Sequence, residues 1–181
     1  MRMNASTSCL LVVDVQERLA PAIHEGDRVV ENAGWLIKLA REVDLPVRIT
    51  EQYPRGLGHT VAALRSLVLD DELLEKIHFS CMESDHIRRE LASLGRRQII
   101  MAGTEAHVCV LQSALGLIQE GYEVYVVADA VSSRRPQDAD LALERMRMEG
   151  VRVVSREMVA FEWLARADTE LFRKVMPRFI R

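Results

Sequence analysis

Short continuous apolar runs alternate with helical patterns along most of this chain. Six runs are candidate strands, at residues 9–14, 45–50, 75–80, 97–103, 122–128 and 151–154. Apolar runs without polar alternation are typical of strands that are buried on both faces of a parallel sheet. Regular alternation of strand and helix indicates helices packed on both faces of such a sheet. We therefore predict a single α/β domain over residues 1–181, with a three-layer α-β-α (Rossmann-like) fold and about six parallel strands.

The stretches between these runs are the predicted helices. They lie at residues 28–43, 60–69, 85–94, 111–120, 139–149, 157–166 and 169–176. Asp27 is a plausible N-cap of the first helix, and Gly95, Gly121 and Gly150 each follow the end of a helix. Right-handed crossovers place the carboxyl ends of all the strands at one edge, where ligands of open α/β sheets bind.

Two reactive side chains are expected at that edge. Asp14 ends the first predicted strand, and Cys109 begins the helix that follows the fourth strand. The first turn of a helix has unpaired N–H groups and a positive dipole, so it favours a thiolate, the nucleophilic form of cysteine. A carboxylate at the end of a buried strand is costly unless it is paired. On residue type alone, a lone cysteine is more often packed in the core than reactive.

Composition and charge exclude several classes of protein. The net charge is −3, and aromatic residues make up 5% of the chain, so no nucleic-acid partner is expected. The apolar run at 9–13 is too short for a signal peptide or a membrane span, so we expect a cytoplasmic protein with no membrane partner. Cys9, Cys81 and Cys109 are dispersed, which argues against a disulfide framework or a zinc site. No GxGxxG motif or P-loop follows a predicted strand, which disfavours a flavodoxin-like nucleotide binder.

Four motifs occur in the order found in one enzyme family. They are Val-Asp-Val-Gln at 13–16, a lysine before Phe-Ser at 76–80, Gly-x-x-x-x-x-Cys-Val at 103–110 and Val-Ala-Asp-Ala-Val-Ser-Ser-Arg at 127–134. With these motifs the chain resembles the isochorismatase-like cysteine hydrolase family, which includes nicotinamidases and carbamoylsarcosine amidohydrolases. The segment Glu-Gln-Tyr-Pro-Arg-Gly-Leu-Gly at 51–58 further resembles the isochorismatase-domain-containing branch of that family.

The resemblance implies a catalytic triad of Asp14, Lys76 and Cys109. It also implies a cis peptide bond between Thr104 and Glu105, and an oxyanion hole formed by the backbone N–H groups of Glu105 and Cys109. The implied reaction is hydrolysis of a C–N (amide-type) bond of a small molecule through a cysteine thioester, without a cofactor. Lys76 and the helix N-terminus would lower the pKa of the Cys109 thiol, and Asp14 would accept and return its proton.

Lys76 is the member of this set that the predicted topology does not explain. It lies at the start of the third predicted strand, 75–80, and therefore away from the carboxyl edge. From the residues alone, it could equally be a solvated residue at the entry of a strand. Only the resemblance assigns it to catalysis.

The loop after the second strand bears on metal binding and on the substrate. Many nicotinamidases of the family bind a divalent metal there through an Asp-x-His element and further histidines. This chain has Thr-Glu-Gln-Tyr at 50–53 and only His59 nearby, so we predict no metal site. The candidate residues of the substrate pocket are Gln16, Leu19, Tyr53 and Leu57.

A catalytically silent family member that acts as a protein-interaction scaffold is the main alternative to an enzyme. The intact set of Asp14, Lys76 and Cys109 argues against it, since a triad without a role would be expected to drift. The family usually forms dimers or larger assemblies, so a homo-oligomer is expected. His107 is expected to brace the cysteine turn, and the residues at 129 and 134 could pair with each other.

Overall fold

The computed structural model describes residues 1–180 and contains a six-stranded sheet. The strands are β1 (Ser8–Val13), β2 (Val47–Gln52), β3 (Leu73–Lys76), β4 (Gln98–Gly103), β5 (Glu123–Val131) and β6 (Arg152–Val154). Their order across the sheet is β3-β2-β1-β4-β5-β6, and each neighbouring pair is parallel. The predicted α/β fold with six parallel strands is confirmed.

Helices cover both faces of this sheet. Within residues 1–180 the α-helices are α1 (Gly26–Glu42), α2 (Pro54–Leu57), α3 (Ala62–Arg65), α4 (Asp85–Ser93), α5 (Leu111–Gln119), α6 (Pro136–Met148), α7 (Arg156–Leu164) and α8 (Glu170–Phe179). Leu10 and Val12 of β1 pack in the apolar layer that includes α1 and α7, whereas Leu11 and Val13 pack with α4, α5 and α6. The central strand is therefore buried on both faces, as its continuous apolar sequence predicts. No helix in the described part of the chain is both long and apolar enough to span a membrane.

The third strand differs from the sequence prediction. β3 spans Leu73–Lys76 rather than residues 75–80. After Lys76 the chain leaves the sheet, and Ile77 and Phe79 are 72% and 54% exposed. These two apolar residues look like part of a strand in the sequence, but they lie in a turn at the surface. Lys76 is consequently at the carboxyl end of β3, on the edge where ligands are expected.

Smaller corrections concern helix starts and strand ends. α1 begins after Glu25, which occupies the N-cap position with a left-handed φ of 51°, so the prediction of Asp27 as the N-cap is wrong. The predicted helix at 60–69 is reduced to the single turn of α3. β5 continues beyond the predicted end to Val131.

Candidate active site

The carboxyl ends of β1, β2 and β3 bring four polar side chains together. Val13, the last residue of β1, pairs with Thr50 on β2. Gln52, at the end of β2, pairs with Lys76 at the end of β3. Asp14 follows Val13 directly, and its N–H donates to the Thr50 carbonyl at 3.1 Å. The register of the sheet thus places Asp14 and Lys76 at the same edge.

Asp14 and Lys76 form a buried ion pair. Lys76 Nζ lies 2.7 Å from Asp14 Oδ2, and neither side chain has exposed surface. Thr50 Oγ1 donates to the other carboxylate oxygen, Oδ1, at 2.7 Å. The backbone of Asp14 is left-handed, with φ of 53°, and Thr104 Oγ1 donates to its carbonyl at 2.6 Å. Both charges are therefore paired and hydrogen-bonded, the condition under which proteins tolerate buried charge.

The Lys76 ammonium group uses all of its donors within the protein. Besides Asp14 Oδ2, Nζ contacts Gln52 Oε1 at 2.6 Å. It also contacts the carbonyl oxygens of His78 and Phe79, at 3.3 and 3.2 Å. An ammonium group has three N–H donors, and these acceptors account for them. Lys76 therefore fixes the Asp14 carboxylate, and its donors are engaged by groups of the protein itself.

Cys109 lies in a π-helical turn, Ala106–Val110, that leads into α5. Burial raises the pKa of its thiol well above the ordinary value, the Asp14 carboxylate raises it further, and Lys76 only partly offsets these effects. The expected lowering of this pKa is therefore wrong, because burial and the nearby carboxylate outweigh the lysine. A raised pKa favours the thiol form, so attack by the sulfur requires a base that takes its proton.

The turn from Gly103 to Cys109 is built around the end of β1. A Cβ at Gly103, whose φ is 142°, would overlap the Val13 carbonyl oxygen, so this position requires glycine. The expected cis bond between Thr104 and Glu105 is wrong for this structure, since residues 1–180 contain no cis peptide bond. Positive φ angles at Gly103 and at Glu105, where φ is 53°, form the turn instead. The Glu105 N–H has no acceptor within the described residues.

A cleft of about 440 Å³ lies beside the Cys109 residue. Its lining consists of Arg18, Leu19, Ala22, Gln52, Leu57, Phe79, Glu105, Val108, Cys109 and Arg134. Of the candidate pocket residues, Leu19 and Leu57 belong to this lining, whereas Gln16 and Tyr53 do not. The walls are largely apolar, with arginine side chains among them.

Gln16 and Tyr53 have other positions in the fold. Gln16 is a buried bracing residue whose Nε2 donates to the carbonyls of Gln52 and Gly58 at 3.0 and 2.7 Å, while its Oε1 accepts from the Gln52 N–H at 2.7 Å. Its amide is fully used in joining the loop after β1 to the end of β2. Tyr53 is 53% exposed and lines a separate groove of about 550 Å³.

Asp129 and Arg134 do not pair with each other, although the sequence allowed that pairing. Arg134 Nε donates to Glu105 Oε1 at 2.6 Å, so Arg134 pairs with the turn and not with Asp129. Asp129 instead accepts from the first N–H of α7 at 2.9 Å. His107 Nδ1 lies 2.9 Å from Ser133 Oγ, a contact that braces the turn against the end of β5.

Thr50 and Gln52 were missed as candidate site residues. They are two positions apart on β2, so both side chains project from the same face of the strand. Each is polar and buried in the carboxyl-terminal half of β2. That pattern was the available signal, but the sequence does not show which charged groups they face.

Glu51 and His59, the carboxylate and the histidine that the sequence offers as metal ligands after β2, contact each other and Thr60. Glu51 Oε1 accepts from the Thr60 N–H and hydroxyl at 2.6 and 2.7 Å, and His59 Nδ1 lies 3.1 Å from Oε2. Burial raises the pKa of the Glu51 carboxyl, but these hydrogen bonds outweigh it, and the net pKa is lowered. Residues 1–180 contain no group of three or more His, Cys, Asp or Glu side chains that could hold a metal.

Comparison with known proteins agrees with this architecture. The isochorismatase domain model matches residues 8–158. Isochorismatase domain-containing protein 2 of Danio rerio is 37% identical over 175 residues, which cover 96% of this chain and 87% of that protein. A solved structure described as MAR1 ribonuclease from Caenorhabditis elegans is 34% identical, with a TM-score of 0.91, and the match covers 98% of this chain and 91% of that one.

A second solved structure shows the same fold at lower identity. The YcaC gene product of Escherichia coli, described as an octameric hydrolase of unknown specificity, is 25% identical, with a TM-score of 0.88, over 99% of this chain and 91% of that one. The family model spans most of the sequence, and relatives above 30% identity cover nearly all of it. The chain therefore belongs to the isochorismatase family and has the cysteine hydrolase fold of that family.

Proposed function

We propose that this protein hydrolyses a C–N (amide-type) bond of a small molecule through a thioester on Cys109. The observation that carries the proposal is the fully buried Asp14–Lys76 pair, with its 2.7 Å contact, near a cysteine that lines a cleft. Asp14 and Lys76 are both close enough to the sulfur to shift its pKa. A nucleophile, a base and a cation that orients the base are the parts that covalent acyl transfer requires.

In the first half-reaction, the Cys109 sulfur attacks the amide carbonyl carbon while its proton passes to the Asp14 carboxylate. The tetrahedral intermediate collapses as the C–N bond breaks and Asp14 gives the proton to the departing nitrogen. Ammonia or an amine leaves, and the acyl group remains on sulfur as a thioester. The raised pKa of the thiol means that proton transfer to Asp14 accompanies the attack.

In the second half-reaction, water attacks the thioester carbon and Asp14 accepts its proton. The C–S bond breaks, the carboxylic acid product leaves, and the proton returns to sulfur. Lys76 stays bonded to Asp14 throughout and orients the carboxylate. We further propose that the backbone N–H groups of Glu105 and Cys109 bind the developing oxyanion. The unpaired Glu105 N–H supports this role.

The cleft supports a small substrate. Its volume of about 440 Å³ is within the range of small-molecule pockets, and Leu19, Leu57 and Val108 give it apolar walls. The protein from Caenorhabditis elegans is described as a ribonuclease. RNA is therefore included below as a competing substrate.

Assembly of several copies is part of the proposal. The Escherichia coli relative is described as octameric. In this chain Leu141 and Met148 of α6 are 63% and 79% exposed, and Phe161 of α7 is 44% exposed. Sedimentation of the purified protein at micromolar concentration would show whether it is larger than a monomer. A cytoplasmic location stays a prediction from the sequence.

The function can be tested with a panel of small carboxamides and a short RNA. We expect ammonia release from at least one amide and an acyl adduct on Cys109 in the intact mass spectrum. Cys109→Ser should abolish both, whereas Cys9→Ser, which changes a buried cysteine of β1, should leave both unchanged. Turnover that survives Cys109→Ser would contradict the thioester mechanism. Cleavage of RNA alone would favour a nuclease, and a folded protein without adduct or turnover would favour a scaffold.

A further inference from the structure

Thr50 contacts the Asp14 carboxylate on the side opposite Lys76. Its hydroxyl lies 2.7 Å from Oδ1, while the ammonium group lies 2.7 Å from Oδ2. Thr50 has no exposed surface, and within residues 1–180 its hydroxyl has no other hydrogen-bond partner. The hydrogen bond to Asp14 is therefore the one that satisfies this buried hydroxyl.

We propose that Thr50 is a positioning residue that sets how readily Asp14 takes and returns the Cys109 proton. The proposal rests on the proposed function, since it assigns Asp14 the role of the base. Thr50 does not line the cleft and acts only through Asp14.

Within residues 1–180, no other side-chain hydrogen bond to Asp14 Oδ1 is formed. The Lys76 donors are used by Asp14 Oδ2, by Gln52 Oε1 at 2.6 Å and by carbonyl oxygens of the turn after β3. Gln52 cannot turn to free Lys76, because its Nε2 donates to the Ile77 carbonyl at 2.8 Å and fixes the amide orientation. Thr50 is thus the single donor at Oδ1 within residues 1–180.

A hydroxyl suits this position for a chemical reason. It donates to Oδ1 while Asp14 is ionised, and it can rotate to accept when Asp14 carries the proton. An ammonium group can only donate, so Lys76 favours the ionised form alone. Thr50 therefore accommodates both protonation states that the reaction passes through. Loss of its donor would remove a hydrogen bond that favours the charged carboxylate.

The alkylation rate of Cys109 by iodoacetamide, measured between pH 4 and 9 by intact mass, reports this protonation without any substrate. The rate falls on the acid side when Asp14 and Cys109 both hold protons. In Thr50→Val we expect this acid limb to move to higher pH by about one unit, because the ionised carboxylate has lost a donor. Thr50→Ser, which restores a hydroxyl, should return it to the wild-type position.

Thr60→Val is the matched control, because Thr60 Oγ1 donates in the same way to Glu51 Oε1 at 2.7 Å. This variant should leave the acid limb unchanged. An unshifted limb in folded Thr50→Val, checked by circular dichroism, would overturn the inference. So would a shift that Thr50→Ser does not reverse. If Thr50→Val does not fold, an unaltered Thr50→Ser profile supports the inference and a shifted one contradicts it. A wild-type profile of an ordinary thiol without an acid limb would instead contradict the proposed function.

Discussion

Two buried carboxylates near the carboxyl edge of the sheet, Asp14 and Glu51, are held in similar ways but differ in their cations. Each accepts a hydrogen bond of 2.7 Å from a threonine hydroxyl. The partner of Asp14 is Lys76, whose side chain has no exposed surface, and the partner of Glu51 is His59, whose side chain is 69% exposed. An exposed histidine is screened by solvent and titrates near neutral pH, whereas a buried lysine is shielded. Of the two carboxylates, only Asp14 pairs with a buried cation, which suits the role of base proposed for it.

The largest expected difference between the two pairs is in stability. Lys76→Met leaves the Asp14 charge buried without its partner, and we expect the free energy of unfolding to fall by about 3–5 kcal/mol. Urea denaturation at pH 7 measures it. His59→Ala, which removes the exposed cation from Glu51, should have a much smaller effect. Equal losses in the two variants would show that burial of the ion pair does not determine how much it contributes to the free energy of unfolding.

The second difference is chemical and concerns proton transfer. Asp14→Asn removes the group that is proposed to take the Cys109 proton, so alkylation by iodoacetamide at neutral pH should become slower. Turnover of an amide substrate should also fall, by about 100-fold, because no group carries the proton to the leaving nitrogen. Parallel rate measurements on Glu51→Gln should show neither change. Retained turnover in Asp14→Asn would remove Asp14 from the mechanism.

The smallest expected effect concerns the pair of Glu51 and the exposed His59, whose contribution to the free energy of unfolding depends on pH. The hydrogen bond to Glu51 raises the pKa of His59, so the folded state binds the His59 proton more tightly than the unfolded state. The contribution of His59 is therefore full below its ordinary pKa of about 6.5 and is lost as pH rises through the higher folded value. At acid pH the contribution is lost again, because the Glu51 carboxylate takes up a proton as the pH falls through its lowered pKa.

Thermal unfolding from pH 5 to 9 tests this pattern. His59→Ala should be less stable than the wild type near pH 5.5 and equal to it near pH 9. A constant difference across this range would mean that His59 acts by packing and not by charge.

The strand ends could be predicted from the sequence to different degrees. Asp14 and Cys109 follow long apolar runs, and parallel topology alone brings both to one edge. Lys76 could not be located in this way, because Ile77 and Phe79 extend the apparent strand past its true end. The resemblance to a family identified Lys76 without explaining its position, and the register between β2 and β3 supplies the explanation.

The pKa of the Cys109 thiol was harder to predict than the identity of the residues at the site. A cysteine at a helix start suggests a thiolate, but burial depends on how the surrounding elements pack, which the local sequence does not contain. Thr50 was overlooked for the same reason, since its role depends on its alignment with Val13 across the sheet. Gln16 was misplaced because a polar residue just after a strand that ends at a candidate site is equally suited to contact a ligand or to join two loops.

The complete use of the Lys76 donors has a consequence for substrate choice under the proposed function. A cation that is fully occupied by protein groups cannot discriminate among ligands, so under that proposal the choice of substrate falls to the walls of the cleft. Leu19 and Leu57 come from two surface segments that are tied together where the Arg18 N–H donates to the Leu57 carbonyl at 3.1 Å. Substitutions in these two segments could then alter selectivity without touching Asp14, Lys76 or Cys109.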